Sequence, residues 1–191
     1  MIGIGDVLCV RGSDWAARLI RLGAALLDEP NLDNHVAIVH HQDTTGTWWA
    51  VEGRPGGVGW ADAATYLKSP WTVNNAAQAK TDEQRAQIAK VAEGVLGTPY
   101  DWEGIVADAM AAIHAPDFWA QSWQKQGPPG HFVCSSLAAW VYEKVGLAHP
   151  TVHEPRLTTP ADWDQFIVTG GYSSPAAASP PLAAASAGAE S

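Results

Sequence analysis

The sequence predicts an α+β fold, because runs rich in Val and Ile fall before residue 75 and helical periodicities dominate after residue 81. With 191 residues, 47% of them hydrophobic and 16% charged, the chain is long and apolar enough for one domain with its own core. No internal repeat is present. The expected architecture is a small antiparallel sheet packed against helices.

Asp6 to Arg11 reads as a short apolar strand that carries Cys9 toward the core. Ser13 is placed to cap a helix in which Trp15, Leu19, Leu22 and Leu26 recur at spacings of four, three and four. Arg18 and Arg21 interrupt that helix, so no transmembrane segment is expected. Asn34 to Gln42, the turn Asp43-Thr-Thr-Gly46 and the return from Thr47 to Glu52 predict a hairpin. Gly53 to Gly59 contains four glycines and a proline and reads as a loop, and Trp71 to Asn75 as another short strand.

Thr81 and Gln84 form a capping box before a helix whose buried face is Ile88, Val91, Val95 and Leu96, ended by Gly97-Thr-Pro99. Helical patterns resume at Asp101 to Ile113 and around Phe118 to Gln126, and Gly127-Pro-Pro-Gly130 breaks them. Cys134 then opens a helix with the face Cys134, Leu137, Val141 and Val145, with Gly146 near its end. Thr159 and Pro160 suit the N-cap and first residue of a last short helix. The domain is expected to span residues 1–172. Residues 173–191 are Ala, Pro, Ser and Gly with almost no charge, a flexible tail by composition.

A net charge of -9 argues against nucleic acid as a partner, since a phosphate backbone needs a clustered basic face. The start, Met1-Ile-Gly-Ile-Gly-Asp6, lacks the basic and apolar regions of a signal peptide. The expected location is therefore cytoplasmic or virion-associated. Cys9 and Cys134 form neither a disulfide framework nor a C-x-x-C pair. No cofactor is expected. Some of the ten tryptophans are expected to line a groove.

Cys134 stands at a helix start in His131-Phe-Val-Cys134-Ser-Ser. The positive end of a helix stabilises a thiolate, and its free N–H groups suit an oxyanion. A buried small hydrophobe is the plainer explanation of a lone cysteine. His35 opens a strand and shares one face with Ala37 and Val39, where it meets the Cys134 helix if that helix packs across the same face. Glu52, across the hairpin among Trp48, Trp49 and Val51, is placed to orient an imidazole, subject to register. His40 and His41 are expected to be exposed at the strand end. A zinc site from His35, His131 and Cys134 lacks the short paired spacing of metal motifs.

Together these pieces resemble a known group. Gly5-Asp6-Val-Leu, Asn-His35-Val-Ala-Ile-Val, a strand ending in Glu52, Gly-Thr-Pro-Tyr100-Asp, Phe-Val-Cys134-Ser-Ser-Leu and Thr159-Pro-Ala-Asp162 are similar to the permuted NlpC-like branch of the papain-like superfamily. That branch includes the YiiX-like proteins, with lecithin:retinol acyltransferase as a more distant relative. The resemblance spans roughly Gly3 to Phe166. It implies a papain-like fold in which Cys134 is the nucleophile, His35 the general base and Glu52 the residue orienting His35. Tyr100 and Ser135 match positions near the oxyanion or substrate. Where YiiX-like chains carry an acid after the Cys-Ser pair, this chain has Ser136 or Leu137. The implied activity is hydrolysis of an amide, with bacterial cell-wall peptide as the preferred substrate and a virion or phage tail as a possible assembly partner. Lipid acyl transfer, or a binding module on the same fold, are the alternatives.

Overall fold

Antiparallel pairing starts where branched and aromatic residues are densest. The computed structural model describes residues 2–10, 35–101, 132–150, 155 and 158–171. The helices expected around 15–27, 101–113 and 118–126, the break at Gly127–Gly130, His131 and the tail lie outside the described residues. Within them the chain is α+β. Strands β1 (Val7–Val10), β2 (His35–Gln42), β3 (Trp48–Arg54), β4 (Gly57–Asp62) and β5 (Val73–Asn74) form one sheet in the order β4-β3-β2-β1-β5. Every pairing is antiparallel. The β2–β3 turn is held by Asp43, whose Oδ1 accepts from Thr45 N at 2.8 Å and Thr47 N at 3.0 Å.

The stretch expected to be a loop, Gly53 to Gly59, is instead a hairpin. β3 runs on to Arg54 and β4 begins at Gly57, leaving Pro55 and Gly56 as the turn. Glycine retains both ladder groups, and here the missing side chains are what packing requires. A Cβ on Gly57, whose φ is +110°, would lie 2.7 Å from Thr98 O. That carbonyl accepts from Val58 N at 2.8 Å, and Gly97 N donates back to Val58 O at 2.9 Å. The Gly97-Thr-Pro segment is thereby tied along β4.

Four helices complete the described residues: α1 (Ala63–Leu67), α2 (Asp82–Glu93), α3 (Cys134–Val145) and α4 (Pro160–Thr169). The reciprocal capping of Thr81 and Gln84 is formed, at 2.9 and 3.1 Å. α2 stops at Gly94, earlier than expected, yet Val95 and Leu96 still pack on the core from the following turn. Gly146, at φ +71°, ends α3 in the left-handed conformation that glycine adopts without strain. Thr159 caps α4, and the Asp162 carboxylate accepts from Thr159 N at 2.7 Å.

The sheet is covered on both faces. On one, Val36, Ile38 and Val51 meet Ile88 of α2, Leu137 and Val141 of α3 and Trp163 of α4. On the other, Leu8, Ala37, Val39 and Ala50 meet Ala63, with Trp48 and Tyr66 packed beside them. Cys9 is buried in the first cluster, and it is not disulfide-bonded to Cys134. A buried polar knot ties β1 to the segments behind it. Asp6 pairs with Lys80 at 2.9 Å, both side chains fully buried, and Tyr142 Oη donates to Gly5 O at 2.5 Å. Of the tryptophans, Trp163 is buried and Trp71 exposed.

Candidate active site

Cys134 is the first residue of α3, with its side chain buried. Helix geometry leaves the first N–H groups of α3 without intrahelical acceptors. Val133 N, just outside, donates to Ser136 Oγ at 3.0 Å, which fixes how the chain enters the helix. β3 passes close beneath this point. A Cβ on Gly53 would lie 3.1 Å from Val133 C, 3.2 Å from Cys134 N and 3.3 Å from Phe132 O. Any larger residue would press the helix start away from the strand carrying Glu52 by a few tenths of an ångström.

His35 and Glu52 meet through strand register. Ile38 pairs with Val51, so the same ladder sets Ala37 opposite Glu52 and His35 diagonal to it on the same face. His35 Nε2 lies 2.6 Å from Glu52 Oε2. Tyr66 Oη donates to that same oxygen at 2.5 Å, and its ring lies 5.8 Å from the imidazole. Arg54 Nη1 is 3.6 Å from Oε1. The Glu52 side chain is only 4% exposed, so these partners take the place of solvent for a buried charge.

With Nε2 committed to Glu52, Nδ1 is the ring nitrogen left for Cys134. Burial by itself would lower the His35 pKa. The charge and hydrogen bond of Cys134, then those of Glu52, outweigh burial and raise it from 6.5 to about 10. Burial also opposes ionisation of Glu52. The hydrogen bond and charge of His35, the Tyr66 hydroxyl and the Arg54 charge overcome it, and the carboxyl is held below its usual range. Burial first, and then Glu52, push the Tyr66 phenol up. The arrangement is a carboxylate, an imidazolium and a sulfur in a row.

These three expected residues come together, though not by the expected packing. α3 covers the face of Val36 and Ile38, opposite to the face that His35 shares with Ala37 and Val39. The contact forms at the end of the sheet, where β2 begins, β3 nears its close and the first turn of α3 reaches over the rim. The hydroxyl of Ser135, expected near the oxyanion or substrate, is engaged within the fold. It donates to Thr158 O at 2.5 Å, while Ser135 O accepts from Trp163 Nε1 at 3.1 Å, so the side chain anchors α3 to the α4 region. Tyr100 is buried, and its main chain bridges Phe132, with Asp101 N donating to Phe132 O at 3.2 Å. The Gly-Thr-Pro-Tyr100 segment is thereby joined to the stretch that leads into α3.

His40 and His41 also need correction. The β2–β3 register shifts between Val39 and His41, which makes His40 the extra residue of a bulge. Its side chain is turned in against Trp60, with ring centroids 4.7 Å apart, and burial followed by the neighbouring His41 lowers its pKa.

Sequence reasoning missed Tyr66, Gly53 and Arg54. Tyr66 sits in a five-residue helix too short to show a period, and the other two fell in the supposed loop. A carboxylate on a strand followed directly by glycine was the available signal. No family model and no curated protein matches the chain. No helix among the described residues is long and apolar enough to cross a membrane.

Proposed function

We propose that the chain is a cysteine hydrolase of the permuted NlpC-like, papain-like kind, cleaving an amide bond in bacterial cell-wall peptide. One arrangement carries the reading: His35 Nε2 lies 2.6 Å from Glu52 Oε2 while Cys134 is its other side-chain partner, and the two together raise its pKa to about 10. A passive buried cysteine needs no charged partner, whereas a nucleophilic one needs an adjacent base that a third group orients.

In this mechanism Cys134 Sγ attacks the scissile carbonyl carbon as thiolate. The carbonyl oxygen gains the negative charge and is met by the free N–H groups of the first turn of α3. His35 passes its proton to the leaving amine as the C–N bond breaks, which leaves a thioester on Cys134. Neutral His35 then takes a proton from water, whose oxygen attacks the thioester and releases the acid and the thiolate. Glu52 stays ionised throughout and fixes the imidazole orientation. Tyr66, one bond further out, holds Glu52.

Incubation with purified peptidoglycan tests this. The expected result is release of fragments with new amino termini, abolished in Cys134→Ala and reduced about 10- to 100-fold in Glu52→Gln, as for loss of one charged, buried hydrogen-bond acceptor. Acylation of Cys134 by lipid acyl donors, with no cell-wall fragments released, would reassign the chain to acyl transfer.

A further inference from the structure

Away from Cys134, two histidines meet at the β2 bulge. His40 Nδ1 lies 2.9 Å from His41 Nδ1, so one nitrogen must donate and the other accept. His40 Nε2 is buried without a hydrogen bond of ordinary geometry among the described residues. It faces the main chain of Ala89 and, at 3.9 Å, Glu93 Oε2, both on α2. An N–H is the form that suits these acceptors, so the proton of neutral His40 belongs on Nε2. His40 Nδ1 then accepts, and His41 Nδ1–H donates.

This tautomer decides what acid does. A proton taken by His41 goes to its Nε2 and leaves the bond between the rings intact. A proton taken by His40 can go only to Nδ1, where it meets the N–H of His41 and turns attraction into repulsion. Burial first, and then His41, hold the His40 pKa below its ordinary 6.5 against the opposing pull of Glu93 and Ala89. Glu93 is 63% exposed, so solvent screens it. Trp60, the partner from β4, carries no charge. Neutral His40 therefore contributes stability that is full above 6.5 and is lost as pH falls below it.

The contact spans three elements. His40 on β2 sits between Trp60 of β4 and Glu93, the last residue of α2. Glu93 stands four residues before Gly97, and Trp60 two after Val58, the two residues whose main chains tie the Gly97-Thr-Pro-Tyr100 segment along β4. That segment bridges to Phe132, ahead of Cys134. We propose that the His40–His41 bulge is an acid-sensitive latch: neutral, it clamps the end of α2 against β4, and a proton on His40 opens it and loosens the Gly97-Thr-Pro-Tyr100 segment. The latch stands whether or not Cys134 is a nucleophile.

Amide hydrogen exchange in the intact chain tests it, read as protection relative to the intrinsic rate at the same pH. Val58 N and Gly97 N are the reporters, and Asn75 N, bonded to Val7 O at the opposite edge of the sheet, is the control. From pH 7 to pH 5 the reporters are expected to lose about 10- to 25-fold in protection, the upper figure being the limit for one proton on a group of ordinary pKa. Asn75 is expected to keep its protection, and His40→Phe, which retains a ring against Trp60, to abolish the loss. Unchanged reporters in the wild type, an equal loss at Asn75, or a loss that persists in His40→Phe overturns the latch. A nitrogen-15 titration of the wild type checks the tautomer without any substitution. His40 is expected to carry its neutral proton on Nε2 and to titrate below 6.5. A neutral proton on Nδ1, or titration at or above 6.5, overturns the inference equally.

Discussion

Replacing Gly53 by Ala is the most demanding perturbation of the site, because it adds one carbon without changing charge or polarity. The new Cβ would meet Val133 C, Cys134 N and Phe132 O at 3.1–3.3 Å, where ordinary contact begins at 3.4 Å, and all three are backbone atoms that cannot swing aside. The start of α3 must therefore move from β3 by a few tenths of an ångström. That displacement stretches the Cys134–His35 hydrogen bond, since His35 rides on the neighbouring strand. If a misplacement of about 1 Å costs roughly 100-fold, a shift of about 0.3 Å costs roughly fivefold. Overpacking adds about 1–3 kcal/mol of instability. The assay is the iodoacetamide labelling rate of Cys134 near neutral pH, read beside thermal unfolding. Gly53→Ala is expected to label about fivefold more slowly and to melt earlier, at about 2–4 °C per kcal/mol for a chain of this size. Wild-type labelling and melting would refute the claim that close approach of β3 sets the site.

Three further outcomes are expected. Tyr66→Phe removes the hydroxyl from Glu52 Oε2 and should lower peptide release about 5- to 30-fold at unchanged fold, from roughly 1–2 kcal/mol of lost hydrogen bonding, checked by activity and circular dichroism. His35 is raised from 6.5 to about 10, so it contributes stability fully present below 6.5 and lost as pH rises through about 10. Its imidazole resonances should titrate near that upper value, and much lower in Cys134→Ala, because Cys134 leads the contributions that raise it. Asp6→Ala strands the fully buried Lys80 ammonium and should cost about 3–5 kcal/mol in denaturant unfolding.

The elements with local signals were legible in the sequence. Thr81 with Gln84, Thr159 before Pro160 and Gly146 after Val145 each mark a helix end by a hydrogen bond or a backbone angle that the residue itself supplies. The Val- and Ile-rich hairpin was equally clear, and its register brought His35 beside Glu52. Three features were not legible because their cause is tertiary. Gly53, Gly57 and Gly59 look like a loop until the helix start, the Thr98 carbonyl and the Arg54 guanidinium are in place to occupy the space they leave. The bulge at His40 turns that side chain inward against Trp60, which strand alternation could not anticipate. Ser135 follows Cys134 in sequence, yet its hydroxyl is drawn to Thr158 by the docking of α4.

The most direct measurement is the labelling rate of Cys134 by iodoacetamide across pH, in the wild type and in His35→Ala, with the buried Cys9 of the same chain as internal reference. A paired nucleophile predicts that Cys134 labels far faster than Cys9 near neutral pH and loses that advantage in His35→Ala. Slow labelling of Cys134 that His35→Ala leaves unchanged would contradict it, and would make the cysteine an inert member of the core.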